Sequence, residues 1–346
     1  MVAAEPSATF ALAYFFRATI AITTPEARRS LEAKNLHKFL FDRLPVRGAL
    51  VRLTDAWRES LDRRAAVGAF PLPVRALLGE MVAAGILMQS SIKFEGALTL
   101  QLHGDGPVKL AVAEVKSDLS FRATAKVIGE ITRDARLAGM VNAQGQGRCA
   151  ITLDAKNRAP GAQPYQGVVP LHGDHGEPQD ALAQVIEHYM LQSEQLDTRL
   201  VLAANDEVAA GLLVQRMPST GAGAREEDQI GRNEDFNRIA HLAATLTHEE
   251  LLTLDAETLL RRLFWQENVL RFEPIATRFR CSCGRARVQN MLVGLGRQEL
   301  DSILSERALV EVGCDFCGQQ FHFDAVDVGA MFTPPQDHPP SSQTLQ

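Results

Sequence analysis

Three observations predict an α+β fold. Apolar residues alternate with a period of two in several runs between 92 and 217, the pattern of half-buried strands. A small, flexible stretch, Pro218-Ser-Thr-Gly-Ala-Gly-Ala-Arg225, interrupts that pattern, and helical periodicity follows it. Four of the five cysteines then fall as two close pairs, Cys281-Ser-Cys283 and Cys314-Asp-Phe-Cys317. Together these give an N-terminal, mostly antiparallel sheet domain with helices, a helical linker, and a small C-terminal zinc-binding α+β module.

The elements follow in order. Residues 1–35 carry no clear pattern. Leu36, Phe39, Leu40 and Leu44 share one side of a helix that ends at Pro45. Alternation over 47–54 predicts a strand, and helices are expected over 55–66 and 73–87, the second with Leu77, Leu78, Met81, Val82 and Ile86 on its apolar face. Leu98, Leu100 and Leu102, then Val108, Leu110 and Val112, flank the turn His103-Gly-Asp-Gly-Pro107 and read as a hairpin. Further strands are expected over 121–131, 148–153, 165–171, 198–203 and 211–217, with a helix over 180–195. Beyond a boundary at 218–228, helices are predicted over 235–247, 248–254 and 255–267. Thr247 and Glu250 have the spacing of a capping box. The run 269–279 is strand-like and leads into the first cysteine pair. The tail beyond Pro334 has the composition of a disordered segment.

Composition narrows the function. The formal net charge of −6 disfavours non-specific binding to nucleic acid or acidic membranes. No apolar run reaches the roughly 20 residues of a membrane span. The apolar stretch 10–22 carries Arg17 and lacks a basic leading region, so no signal peptide is expected and the cytoplasm is the expected compartment.

The cysteines carry the chemistry. A tetrahedral zinc ion takes four thiolates, and Cys281, Cys283, Cys314 and Cys317 can supply them all. Thirty residues separate the pairs, so the ion would tie together a whole small module. Cys149 lies in a strand-like run and reads as a small buried hydrophobe. His322 is expected to be packed or exposed rather than a ligand. His172 and His175 beside Asp174 read as a solvated turn, and Glu226-Glu-Asp228 as a solvated linker.

The stretches FRCSCGRARVQNML, ELDSIL and VGCDFCGQQFHFDAVDV resemble the zinc centre of the 33-kDa heat-shock protein family. Upstream, HKFLFDRLPVRGALVRL, LQLHGDGPVKLAV, YQGVVPLHGD, SEQLDTRL, ELLTL and RFEPIATRFRC resemble the same family in the same order, over roughly Leu36 to Val328. The resemblance implies a redox-regulated, ATP-independent holdase chaperone and not an enzyme. It implies an α+β substrate-binding domain over 36–217, a flexible and helical linker over 218–268, and a zinc-binding redox switch over 269–330. Residues 1–35 are then an N-terminal extension and 331–346 a disordered tail. One zinc ion per chain is expected in the reduced state. Implied partners are unfolded client proteins and, when oxidised, a second copy of the chain; nucleic acid and membranes are not expected as partners.

The residue chemistry agrees with this role. The thiolate is the form that reacts with oxidants, so a redox response must lie in the sulfurs. Oxidation is expected to join Cys281 to Cys283 and Cys314 to Cys317, since both loops are short. Each disulfide would consume two metal ligands. Structural zinc contributes about 10–16 kcal/mol in small peptides, whereas a whole domain is stable by only about 5–15 kcal/mol. Losing the metal should therefore unfold the module. Two other readings remain open: a zinc-ribbon nucleic-acid module, for which Arg278, Arg280, Arg285 and Arg287 would be the basic surface, and a thiol–disulfide oxidoreductase using Cys314 and Cys317.

Overall fold

The computed structural model describes residues 34–159, 161–217 and 230–333. Residues 1–33, most of the expected domain boundary and the tail beyond 333 lie outside the described residues.

Two sheets and one buried helix make the main body. Strands β1 (Lys34–Phe41) and β2 (Val46–Leu53) precede helices α1 (Asp55–Ala65) and α2 (Leu72–Ser91). Strands β3 (Gly96–His103), β4 (Val108–Lys116) and β5 (Ser120–Val127) follow, then a short helix α3 (Leu137–Val141). Next come β6 (Arg148–Ala155), β7 (Tyr165–Pro170), α4 (Leu182–Glu194), β8 (Thr198–Ala204) and β9 (Ala209–Arg216). One sheet runs in the order β1-β2-β9-β8 and the other β5-β4-β3-β6-β7, all antiparallel.

Helix α2 lies between the sheets. It is long and apolar enough to cross a membrane by length and composition, but 72% of its apolar window is buried in the protein. Its near-uniform hydrophobicity is that of a helix covered on all sides. Close approach is part of the arrangement. A Cβ on Gly79 would lie 2.5 Å from that of Ala204, on β8.

The segment expected to be helical from Leu36 is strand β1. Leu36 faces the central core with α2, while Phe39 and Phe41 face the opposite side of the sheet. A strand covered on both faces loses its alternation, which is why apolar residues spaced like a helix belong to a strand here.

That opposite side is covered by a helical layer: α5 (Glu234–Ala244), α6 (His248–Thr253) and α7 (Ala256–Phe264). Each helix opens on a side-chain cap. Asn233 Oδ1 accepts from Phe236 N at 2.7 Å, and Asp255 Oδ1 from Thr258 N at 2.9 Å. Thr247 and Glu250 form the expected capping box. Phe236, Ile239, Ala240 and Ala243 of α5 and Leu259, Leu260, Leu263 and Phe264 of α7 are buried against the sheet. Phe264 sits edge-on to Phe41 with ring centres 5.0 Å apart. Helices this short are marginal alone, so the sheet supplies their order.

The run 269–279 is three short strands, not one. Strand β10 (Val269–Arg271) and strand β11 (Ile275–Ala276) both pair with β1, and Pro274 separates them. Strand β12 (Arg278–Phe279) then crosses to the other sheet and pairs in parallel with β5. This segment was expected to belong to the C-terminal module; it closes the edges of both sheets of the main body.

The module itself holds α8 (Arg285–Leu295), α9 (Arg297–Glu306), a hairpin of β13 (Val310–Gly313) and β14 (Gln320–Phe323), and α10 (Ala325–Met331). Met331 and Phe332, read from sequence as the start of the tail, pack against its core.

Candidate metal centre

The two cysteine pairs approach from different directions. Strand β12 delivers the first: Arg280 N donates to Phe121 O at 3.0 Å, so the chain leaves the edge of the β5 sheet directly into Cys281. After Cys283, helix α8 begins, and Arg287 reaches back to Ser282 O at 3.1 Å and its Oγ at 2.8 Å, bracing the one-residue gap. The second pair occupies the turn between β13 and β14. Cys314 N donates to Gln319 O at 2.9 Å, and Gly318 N to Cys314 O at 2.8 Å. Gly318 has φ of +72°, where a side chain is strained, and a Cβ there would also lie 2.6 Å from Val67.

These elements bring all four expected sulfurs together. Cys281 Sγ lies 3.6 Å from Cys314 Sγ, and Cys283 Sγ 3.3 Å from Cys317 Sγ. All four lie within 4.8 Å of one another. A tetrahedral site with arms of about 2.3 Å has edges of about 3.8 Å, so the donor set fits one zinc-sized ion. The nearest sulfurs belong to opposite pairs, as expected of four ligands round a common centre. None of the five cysteines is in a disulfide.

The thiols are not equivalent. Burial opposes ionisation of Cys281, but donation from the Cys283 backbone and from the other three thiols outweighs it, and its pKa falls. Cys283 is pushed strongly the other way, first by burial and then by its neighbours Cys317 and Cys281. Cys317 is also raised, chiefly by burial. By itself the cluster favours a thiolate at Cys281 and resists one at Cys283 and at Cys317. Binding a metal as four thiolates must therefore expel protons.

The centre is seated on the main body. Cys317 is 6% exposed and belongs to the central core, and the other three pack partly against it. The Arg122 guanidinium lies 4.1 Å from the ring centre of Phe316, inside the second pair. Arg122 is itself held by a two-pronged bond to Glu114, at 3.1 and 2.6 Å. Thr124 Oγ1 donates to Asp315 O at 2.6 Å. Sequence reasoning missed Glu114, Arg122 and Thr124. They lie roughly 190 residues before the turn they grip, and no local pattern marks them.

The arginines that would serve a nucleic-acid surface are committed internally. Arg278 and Arg280 pair with Asp118, Arg285 with Asp327 at 2.7 Å, and Arg287 braces Ser282. His322 is exposed, its Nδ1 lies 3.4 Å from Glu311 Oε1, and it is not in the cluster. His172 points at Gly173 O at 3.0 Å, and neither it nor His175 joins a metal-ligating group among the described residues. Cys149 is fully buried in β6, and burial pushes its thiol up to about 12.

Fold and site together define a class: an α+β body carrying a four-cysteine centre that could hold a metal ion. The family model described as "Hsp33 protein" matches residues 34–324. A "33 kDa chaperonin" of Chromobacterium violaceum is 45% identical over 297 residues, covering 86% of this chain and 93% of that protein. One from Neisseria meningitidis is 40% identical, covering 85% and 90%. The crystal structure of the 33 kDa chaperonin (heat shock protein 33 homolog) from Thermotoga maritima superposes with a TM-score of 0.67 at 21% identity, covering 86% of this chain and 97% of that one, a likeness of fold. The chain belongs to the Hsp33 family.

Proposed function

We propose that the protein is a redox-regulated, ATP-independent holdase of the cytoplasm, with no catalytic activity of its own. In the reduced state Cys281, Cys283, Cys314 and Cys317 hold one zinc ion as thiolates; bound there, the ion supplies no redox chemistry and acts as a structural cross-link. A peroxide oxidises Cys281 with Cys283 and Cys314 with Cys317. Each pair of thiolates gives two electrons to one hydrogen peroxide: an S–S bond forms, the O–O bond breaks, both oxygens leave as water, and the oxidised sulfurs no longer hold the metal. The observation that carries this reading is the meeting of four free sulfurs within 4.8 Å in a module with only five buried apolar side chains.

The route from module to linker runs through 269–280. When the module unfolds, β12 loses its anchor beside β5, and β11 and β10 can peel from β1. The layer α5–α7 is then tied down at one end only. Its buried face, with Phe39, Phe41 and Leu50 beneath, becomes available to unfolded client chains and to a second copy of the protein.

The test measures zinc, free thiols and light scattering of a heat-unfolded client before and after peroxide at elevated temperature. The expected result is one zinc per chain when reduced. Oxidation should consume four thiols, release the zinc and suppress client aggregation without ATP. A reduced, zinc-loaded protein that suppresses aggregation equally well would overturn the redox part. Full zinc occupancy in a Cys314→Ser variant would overturn the ligand set.

A further inference from the structure

A second site lies on the main body, away from the cysteines. A cleft of about 890 Å³ opens between the first turns of α2, the segment 133–140, the start of α4 and the turn between β8 and β9. This volume is in the range of small-molecule sites. Leu77, Leu137, Met140 and Leu182 give it an apolar wall. Glu80 projects into it from α2 and makes no hydrogen bond or ion pair with any described residue. A carboxyl group in such surroundings is neutral or meets a cation, because an isolated buried charge is too costly. No cation among the described residues offsets it, and burial pushes its pKa up to about 8.

The other charged groups are spread round the cleft. On its own helix, Arg75 pairs with Asp206 of the β8–β9 turn at 3.2 Å. On that turn, Glu207 pairs with Arg58 at 3.4 Å. From the segment before α3 come Arg133, Asp134 and Arg136, the last 4.0 Å from Asp180 at the start of α4. His248 of α6 completes the lining. Of the five carboxylates at the cleft, Asp206, Glu207 and Asp180 pair with Arg75, Arg58 and Arg136, Asp134 lies at the rim, and Glu80, on the wall of α2, makes no pair with a described residue.

We propose that this cleft binds a small aliphatic amine, its ammonium group on the Glu80 carboxylate and its methylene chain along Leu77, Leu137 and Met140. A second ammonium would reach Asp134 at the rim. The match is between an apolar wall and an uncompensated carboxyl at its foot. An anion would meet Glu80 as a repulsive group, and a purely apolar ligand would leave it unpaired.

Binding has a proton signature. At pH 7 the empty site holds Glu80 protonated, and an ammonium ion displaces that proton. Calorimetry with 1,5-diaminopentane in two buffers of different ionisation enthalpy should therefore show release of about one proton per molecule bound. Apparent affinity should rise about tenfold per pH unit below pH 8 and level off above it, measured in a His248→Asn background so that no imidazole lines the cleft. Glu80→Gln, which keeps the side-chain shape, should weaken binding at least about tenfold and abolish the proton release. Pentane-1,5-diol should not bind. Three results would overturn the proposal: no saturation by about 1 mM diamine; equal affinity in Glu80→Gln; or no proton release by the intact protein. A trilysine peptide that binds through Glu80 where the diamine does not would also overturn it, because the ligand would then be a basic protein segment.

Discussion

The main body and the C-terminal module are built on opposite principles. The body wraps α2 between two sheets, and side chains such as Ile86, Leu87 and Leu100 have no exposure at all. Burying each is worth about 1.5–3 kcal/mol, and dozens of them do so. The module fully buries only Leu292, Leu300, Val310, Phe323 and Val328. Met291, Val293 and Leu295 on α8 stay between 41% and 56% exposed. One region has a large core; the other has a small core beside four clustered sulfurs. A protein made this way can lose one part and keep the other.

The sharpest way to break that contrast is to remove the metal. A strong zinc chelator, or Cys314→Ser, should withdraw on the order of 10 kcal/mol from the module alone. Hydrogen exchange should then show residues 285–333 unprotected and β3 and β4 still protected. A module that stays protected without metal would mean that its small core suffices.

A core truncation should act in the opposite place. Leu87→Ala in α2 is expected to cost about 2–5 kcal/mol in the urea unfolding of the body. Leu300→Ala, equally buried but in the module, should leave that transition where it is and speed metal loss to a chelator. Equal shifts of the body's midpoint would show that the two regions unfold as one.

Glu80 gives a pH test of the body. Its folded pKa, about 8, lies above the ordinary value of 4.5, so the native state holds the extra proton between those limits. Stability should fall as pH rises through that window, by up to a few kcal/mol, and Glu80→Gln should flatten the profile. An unchanged slope in the variant would show that Glu80 is not the group responsible.

The smallest effect belongs to the layer between the regions. Thr247→Ala removes the α6 cap and should cost about 1 kcal/mol, seen as faster exchange in α6 with the body's midpoint nearly unmoved.

Much of this was readable from the chain. The hairpin around His103–Pro107, the capped helices after 233 and the four cysteines all follow from local pattern. The failures have one physical origin. Strand β1 was read as a helix because burial on both faces erased its period of two. The run 269–279 was read as one strand because nothing local says that its halves serve different sheets. Helices α8 and α9 were not anticipated; they carry apolar residues that a small module leaves exposed. The four cysteines of the cluster were evident, whereas its seat on Arg122, Glu114 and Thr124 depends on contacts across most of the chain.

The pairing of β1 with the segment that precedes the cysteines also bears on synthesis. Asn35 Nδ2 donates to Thr277 Oγ1 in a buried bond between residues 242 apart in sequence. On the ribosome, both sheets and α2 can assemble once β9 has emerged, but α5–α7 and β10 are still to come. Until they arrive, Phe39, Phe41, Val46 and Leu50 lie on an uncovered sheet face whose β1 edge is still unpaired. The nascent protein thus passes through an uncovered form every time it is made, and the cysteine module is the last part to dock.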